Sequence, residues 1–264
     1  MLPKILKESQ IRASLLKMFE KSKRPRCCAV IAAAGSSDRF GGEDKLFFKI
    51  NDAPVLAHTL SVFQKSVYID EIILVTHENT LSRTKELCKR YGIKKAKRII
   101  SGGPTRVESV SKGVSAVSKN YSLIAIHDGA RPCVDEQVIK SVMEQAAVHH
   151  AAAPGVRISS TIKRIKNGVI VETIDRNDLV EIQTPQVFAV KIIKAALANA
   201  MKHKIDITDD CMAAELIGTD IRVVEGSRNN IKITTREDVI IAEKVLENLR
   251  CRVPKPVVTG ELCE

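Results

Sequence analysis

The sequence predicts an α/β fold, doubly wound around a mostly parallel sheet, from three observations. Short apolar runs recur at residues 28–34, 71–76, 97–101, 122–127 and 221–224. Helical patterns at 54–66, 79–91 and 106–117 separate the first four runs. Strands alternating with helices build a parallel sheet covered on both faces. Gly35, Gly103 and Asp128 each stand just after a strand, where ligands of such sheets bind.

In chain order, residues 1–26 come first, a basic and helical extension. Leu2, Ile5, Leu6, Ile11, Leu15, Leu16, Met18 and Phe19 form a rough apolar stripe among lysines. Eight Lys or Arg against Glu8 and Glu20 place +6 of the chain's formal +11 there. A surface helix is the first reading, and a membrane-surface helix or an organellar targeting segment are the others. Two glutamates and few serines weigh against targeting.

The first strand runs from Cys28 to Ala34 and breaks into the small residues Gly35, Ser36 and Ser37. Small residues let the backbone approach a ligand and aim its N–H groups at phosphate oxygens. Arg39 and Lys45 add two permanent charges, so the segment has the makings of a polyphosphate site. It lacks the Gly-Lys-Ser/Thr of a P-loop and the later glycines of a dinucleotide fingerprint.

Residues 160–164 and 169–174 are β-rich and flank Asn167-Gly168, the preferred type I′ turn. An isolated hairpin is marginal in water and calls for a partner surface. A helix near 236–249 follows, then a Pro-containing tail, 250–264. The main domain spans 27–249, with the hairpin arm at about 157–177.

Composition narrows the function classes. A length of 264 residues and 44% hydrophobic content suit one α/β domain. No apolar run approaches a membrane span, and no cleavable leader pattern is expected. Seven cysteines, an odd number without Cys-x-x-Cys, predict neither disulfides nor zinc and fit a reducing cytoplasm. The neighbours His149 and His150 read as the end of a surface helix rather than a metal motif. Aromatics at 3% without tryptophan leave few base-stacking platforms. The basic balance therefore predicts anionic small molecules, not nucleic acid, and no stable membrane association.

The segment Ala29–Phe40 with Lys45 resembles the signature loop of the sugar-phosphate nucleotidyltransferases. Six further segments follow in order: 102–110, 127–132, 173–177, 184–188, 208–210 and 225–234. Over about residues 27–247 the chain resembles the 2-C-methyl-D-erythritol 4-phosphate cytidylyltransferase family of the non-mevalonate isoprenoid pathway. The resemblance implies a Rossmann-like sheet and makes the hairpin a dimerisation arm that embraces a second subunit. It implies transfer of CMP from CTP to methylerythritol phosphate, with pyrophosphate leaving. The attacking phosphate is already ionised, so placement and charge stabilisation do the catalysis.

Arg39, Lys45 and Lys232 match the family's charge-stabilising residues. Ala33, Ala34, Gly35, Gly103 and Ser109 match nucleotide contacts, and Arg106 either reaches phosphate or braces the loop. Arg131, Thr161, Arg176 and Thr208 match substrate contacts, Arg176 doubling as a catalytic residue. Magnesium, or another divalent ion, is implied on the triphosphate. Asp128 is the candidate carboxylate for metal or nucleotide; capping the next helix is its equal alternative. The chain departs from the family pattern at Asp44-Lys45-Leu46, at Pro104 and at Ser159-Ser160-Thr161. An acid beside Lys45 weakens phosphate binding unless it points away. Two competing functions are a cytidylyltransferase for another polyol phosphate, such as ribitol 5-phosphate, and a basic nucleic-acid or membrane binder on a degenerate scaffold. Intact Arg39, Lys45 and Lys232 oppose the second.

Overall fold

A computed structural model describes residues 24–35 and 40–248. β1 (Cys27–Ala33) leads to a small ribbon, β2 (Lys49–Ile50) and β3 (Ala53–Pro54). Then come α1 (Val55–Lys65), β4 (Glu71–Thr76), α2 (Leu81–Arg90), β5 (Ala96–Ser101), α3 (Arg106–Ser115), β6 (Leu123–Asp128), α4 (Glu136–His149) and β7 (Ala151–Arg157). The hairpin β8 (Ile162–Lys166) and β9 (Val169–Ile174) follows, then β10 (Val180–Ile182), β11 (Gln186–Ala189), α5 (Val190–Lys202), α6 (Asp210–Glu215), β12 (Arg222–Glu225) and α7 (Arg236–Asn248).

The expected parallel sheet is present as β5-β4-β1-β6, with β1 central. A mixed half continues it. β11 lies antiparallel between β6 and β7, β10 pairs antiparallel with the end of β7, and β12 runs parallel along β7's other edge. β1 is apolar on both faces because both are covered. Cys27, Ala29 and Ile31 join a core with α1, α4 and α7, while Cys28 and Val30 join a second core with α3 and α5. Gly113 lets α3 close on the sheet: a Cβ there would lie 2.5 Å from Val30 and 2.8 Å from Val75.

The hairpin forms as predicted. Asn167 and Gly168 both take positive φ, 51° and 78°, as a type I′ turn demands. Ile165, Val169, Ile170 and Val171 on it are all more than half exposed. The helix end at His149 also matches, with His150 left-handed at φ 70° as its cap.

Arg24 and Arg26, within the expected 1–26 extension, both contact the strand-bearing region. Arg24 forms a two-pronged ion pair with Asp70 at 2.9 and 2.7 Å, and Asp70 also accepts the Cys27 N–H. The Arg26 carbonyl accepts N–H groups from Ser122 and Leu123. The helix expected within residues 1–26 lies at 1–23 outside the described residues, as does the tail 250–264. Among the described residues no helix is long and apolar enough to cross a membrane. The described cysteines Cys27, Cys28, Cys88, Cys133 and Cys211 are buried free thiols.

Candidate functional site

A cleft of about 410 Å³ opens where β1 and β6 end and α3 begins. Its first wall is Ala33-Ala34-Gly35, the exit of β1. Its second is the loop from β5 into α3, which can approach only because Gly102 has no side chain. A Cβ at Gly102 would meet Ser109 Oγ at 2.6 Å and Ala34 Cβ at 2.7 Å. Ser109 Oγ then binds both the N–H and the carbonyl of Gly103, at 3.0 and 3.2 Å. Lys112 Nζ donates to the Gly102 carbonyl at 2.7 Å. A Thr105–Glu108 capping box fixes the start of α3, whose positive end favours anions.

The third wall carries charge. Asp128 ends β6 buried, with Oδ2 at 2.9 Å from Lys232 Nζ and 3.4 Å from Arg131 Nε. Burial alone would raise its pKa, but Lys232, Arg106 and Arg131 outweigh that and hold it well below the usual carboxylate range. Behind it, the Asp128 N–H donates to Thr184 Oγ1, and Thr184 Oγ1 meets His127 Nδ1 at 2.9 Å. His127 Nε2 lies 3.2 Å from the Arg131 carbonyl. Burial pushes His127 down to about 4, so it is neutral. Arg131 Nη1 donates to the Asn230 carbonyl at 2.6 Å, and Asn230 Nδ2 to the Thr184 carbonyl at 2.8 Å. Arg131 and the segment bearing Lys232 are thereby tied to β6.

One alternative reading is corrected here. Asp128 does not cap the following helix; Asp135 does, accepting the Val138 N–H at 2.8 Å. Asp128 sits at the strand end among cations instead. The Asp44 carboxylate accepts the Leu46 N–H at 3.0 Å and shapes the turn that carries Lys45.

The cleft gathers Ala33, Ala34, Gly35, Lys45, Arg106, Ser109, Asp128 and Lys232. Gly103 and Arg131 stand one contact behind it. Arg106 is committed to Asp210 through both terminal nitrogens, at 3.1 and 2.6 Å. That carboxylate raises the Arg106 pKa, overcoming burial, which alone would lower it. Thr161, Arg176 and Thr208 do not line this cleft. Thr161 and Arg176 are exposed at the hairpin base, with Arg176 Nη1 on the Ser159 carbonyl. Thr208 is exposed ahead of α6, its hydroxyl 3.6 Å from Met212 Sδ. Arg39 lies outside the described residues.

Sequence reasoning missed His77, Thr105 and Ala130 in the lining. His77 follows β4 directly, so the strand-end rule that selected Gly35 would have found it. Asp210, Gln186, Thr184 and Asn230 lie within the segments of resemblance, but sequence reasoning gave them no role; the structure shows them as buried partners, whose contacts bridge distant segments. Among the described residues no group of three or more His, Cys, Asp or Glu forms a metal cluster.

A family model described as IspD, 2-C-methyl-D-erythritol 4-phosphate cytidylyltransferase, matches residues 27–248. The enzyme of that name from Halalkalibacterium halodurans is 42% identical over 218 residues, covering 82% of this chain and 95% of the relative. Its namesake from Dehalococcoides mccartyi is 43% identical over 223 residues, covering 84% and 96%. The crystal structure of 4-diphosphocytidyl-2C-methyl-D-erythritol synthase from Anaerococcus prevotii is similar with a TM-score of 0.77 at 29% identity, covering 88% of this chain and 99% of that one. The Thermus thermophilus cytidylyltransferase structure gives 0.70 at 26% identity, covering 83% and 98%.

Proposed function

Because the chain belongs to the 2-C-methyl-D-erythritol 4-phosphate cytidylyltransferase family, we propose that the cleft beyond β1, β5 and β6 is its site of nucleotidyl transfer. The enzyme transfers CMP from CTP to 2-C-methyl-D-erythritol 4-phosphate, giving 4-diphosphocytidyl-2-C-methyl-D-erythritol and pyrophosphate in isoprenoid precursor biosynthesis. The relatives do not favour the ribitol 5-phosphate alternative. One observation carries the placement: Lys45, Lys232 and Asp128 meet the two small-residue loops in a single cleft.

The substrate phosphate attacks the α-phosphorus of CTP in line, and pyrophosphate departs. No general base is needed, because a phosphate monoester is ionised at neutral pH. Lys45 and Lys232 stabilise charge that grows on the transferring phosphate, together with Arg39. Gly103 and Ser109 form a tight wall that suits a pyrimidine and leaves little room for a purine. Arg131, Arg176, Thr161 and Thr208 serve the polyol phosphate, Arg131 from behind Asp128 and Arg176 with a charge suited to phosphate.

Magnesium fits the donor set, because it takes one or two carboxylates and completes its shell with phosphate oxygens and water. Asp128 is the carboxylate in the lining that would hold it, and the ion would neutralise charge across the triphosphate. The exposed apolar residues of the hairpin, Ile165 at 66% and Val169 at 64% among them, support a homodimer made through that arm. Buried free thiols support a cytoplasmic setting.

Incubation with CTP, magnesium and either methylerythritol phosphate or ribitol 5-phosphate tests the reaction. Pyrophosphate release is expected with the first acceptor alone. Faster release with ribitol 5-phosphate would overturn the substrate assignment.

A further inference from the structure

Asp210 opens α6 as a fully buried acid, yet its carboxylate does no work in that helix. Asp209 caps α6, with Oδ1 accepting the Met212 N–H at 2.9 Å. The Asp210 and Cys211 N–H groups both donate to Gln186 Oε1 at 3.0 Å. Gln186 Nε2 closes the arrangement by donating to Asp209 Oδ2 at 2.7 Å. The start of α6 is therefore satisfied without the Asp210 side chain.

Both Asp210 oxygens point instead at Arg106, 104 positions earlier in the chain. Arg106 is the first residue of α3 and follows the loop that walls the cleft. Its side chain is 29% exposed and lines the cleft. Stability alone does not explain such a pair. Desolvating two charges offsets most of their attraction, and an apolar pair of similar volume often does as well. What an ion pair supplies and an apolar pair cannot is a guanidinium held in one plane, with part of its N–H donors engaged and the rest directed by that constraint.

We propose that Asp210 is a positioning residue of the nucleotide site, holding Arg106 so that its free guanidinium N–H groups face the triphosphate of CTP, on the premise that the cleft takes CTP. Arg106 touches the nucleotide, and Asp210 acts only through Arg106.

Three variants test this: Asp210→Asn, Arg106→Met and the double variant Arg106→Met/Asp210→Leu. Each is assayed for kcat, for KM of both substrates, for calorimetric CTP binding without acceptor, and for Tm. Asp210→Asn is expected to raise the KM and Kd for CTP about tenfold and leave the KM for methylerythritol phosphate within about twofold. The double variant is expected to bind CTP no worse than Arg106→Met, because removing Asp210 costs nothing once Arg106 is gone. A lowered Tm with wild-type CTP affinity in Asp210→Asn would make Asp210 purely structural. An additive loss in the double variant would give it a role apart from Arg106. Should Asp210→Asn fail to fold, the comparison of Arg106→Met with the double variant decides alone. Turnover of Lys45→Ala tests the placement of the reaction in this cleft separately, so normal turnover with normal CTP binding in Asp210→Asn sinks only this proposal.

Discussion

Lys45 and Lys232 occupy the same cleft, but Lys232 already rests on Asp128 at 2.9 Å. Two lysines fixed in one cleft stabilise charge on a transferring phosphate without the reorganisation that water would need. Lys45→Ala should cut turnover on the order of 10²-fold or more, as loss of one such donor does, while CTP binding weakens less. Steady-state pyrophosphate release checks this, and near-normal turnover would remove Lys45 from the mechanism. Beneath Asp128, His127 is fully buried, and its pKa is pushed by burial from an ordinary 6.5 to about 4. Its neutral form suits both neighbours, accepting from the Thr184 hydroxyl and donating to the Arg131 carbonyl. Between pH 6.5 and 4 the unfolded chain binds the proton that the folded chain refuses. Stability is thus full above the unfolded value and falls as pH drops through that window, by about 3 kcal/mol in total. Asp128 adds its own loss only at lower pH, since its folded pKa lies below the usual range. Urea unfolding from pH 7 to 4.5 should show a steeper decline for wild type than for His127→Gln. Parallel curves would show that His127 is not the group responsible.

At the scale of elements, the nucleotide wall depends on how closely the β1 exit meets the start of α3. Gly102→Ala would place a methyl 2.6 Å from Ser109 Oγ and 2.7 Å from Ala34 Cβ, so the two loops must part. The KM for CTP should rise several-fold, with kcat changing less, because the ground state and transition state lose the same wall. An unchanged CTP KM would mean that this contact does not shape the nucleotide site. The parallel half of the sheet was legible in the sequence because β1, β4 and β6 are covered on both faces and read as apolar runs. The hairpin was legible because Asn167-Gly168 is a local signal. β7 was not: Ala151–Arg157 reads AAAPGVR, small residues with a proline inside, and it is a strand because β10, β11 and β12 pair with it. β11 is short and takes its place only from the strands on either side. The same limit hid half of the site. Gly35 and Asp128 announce themselves at strand ends, whereas the Arg106–Asp210 pair joins residues 104 apart and has no local signature.

At the scale of the molecule, Arg24 is pinned to Asp70 by two short hydrogen bonds just ahead of β1. Deleting residues 1–23 keeps that anchor and should leave turnover within about twofold, because the family match begins at residue 27. A folded truncation without activity would show that the segment completes the site. The hairpin raises the larger question. Its apolar residues Ile165, Val169, Ile170 and Val171 are exposed within one chain, and Arg176 at its return end does not line that chain's cleft. If the arm crosses a two-fold axis, Arg176 serves the partner's cleft, and the sharing is reciprocal. Lys45→Ala and Arg176→Ala should each be nearly inactive as pure dimers, for in each every site lacks one residue. In a mixed dimer one site carries both defects, and the other takes Lys45 from one chain and Arg176 from its partner. Half of randomly paired dimers are mixed, so exchange should restore roughly a quarter of wild-type activity. If Arg176 acts within its own chain, both sites of the mixed dimer stay defective. The decisive measurement is therefore pyrophosphate release after the two variants are mixed, with subunit exchange confirmed by a mass or fluorescence label; exchange without recovered activity would sink the shared site.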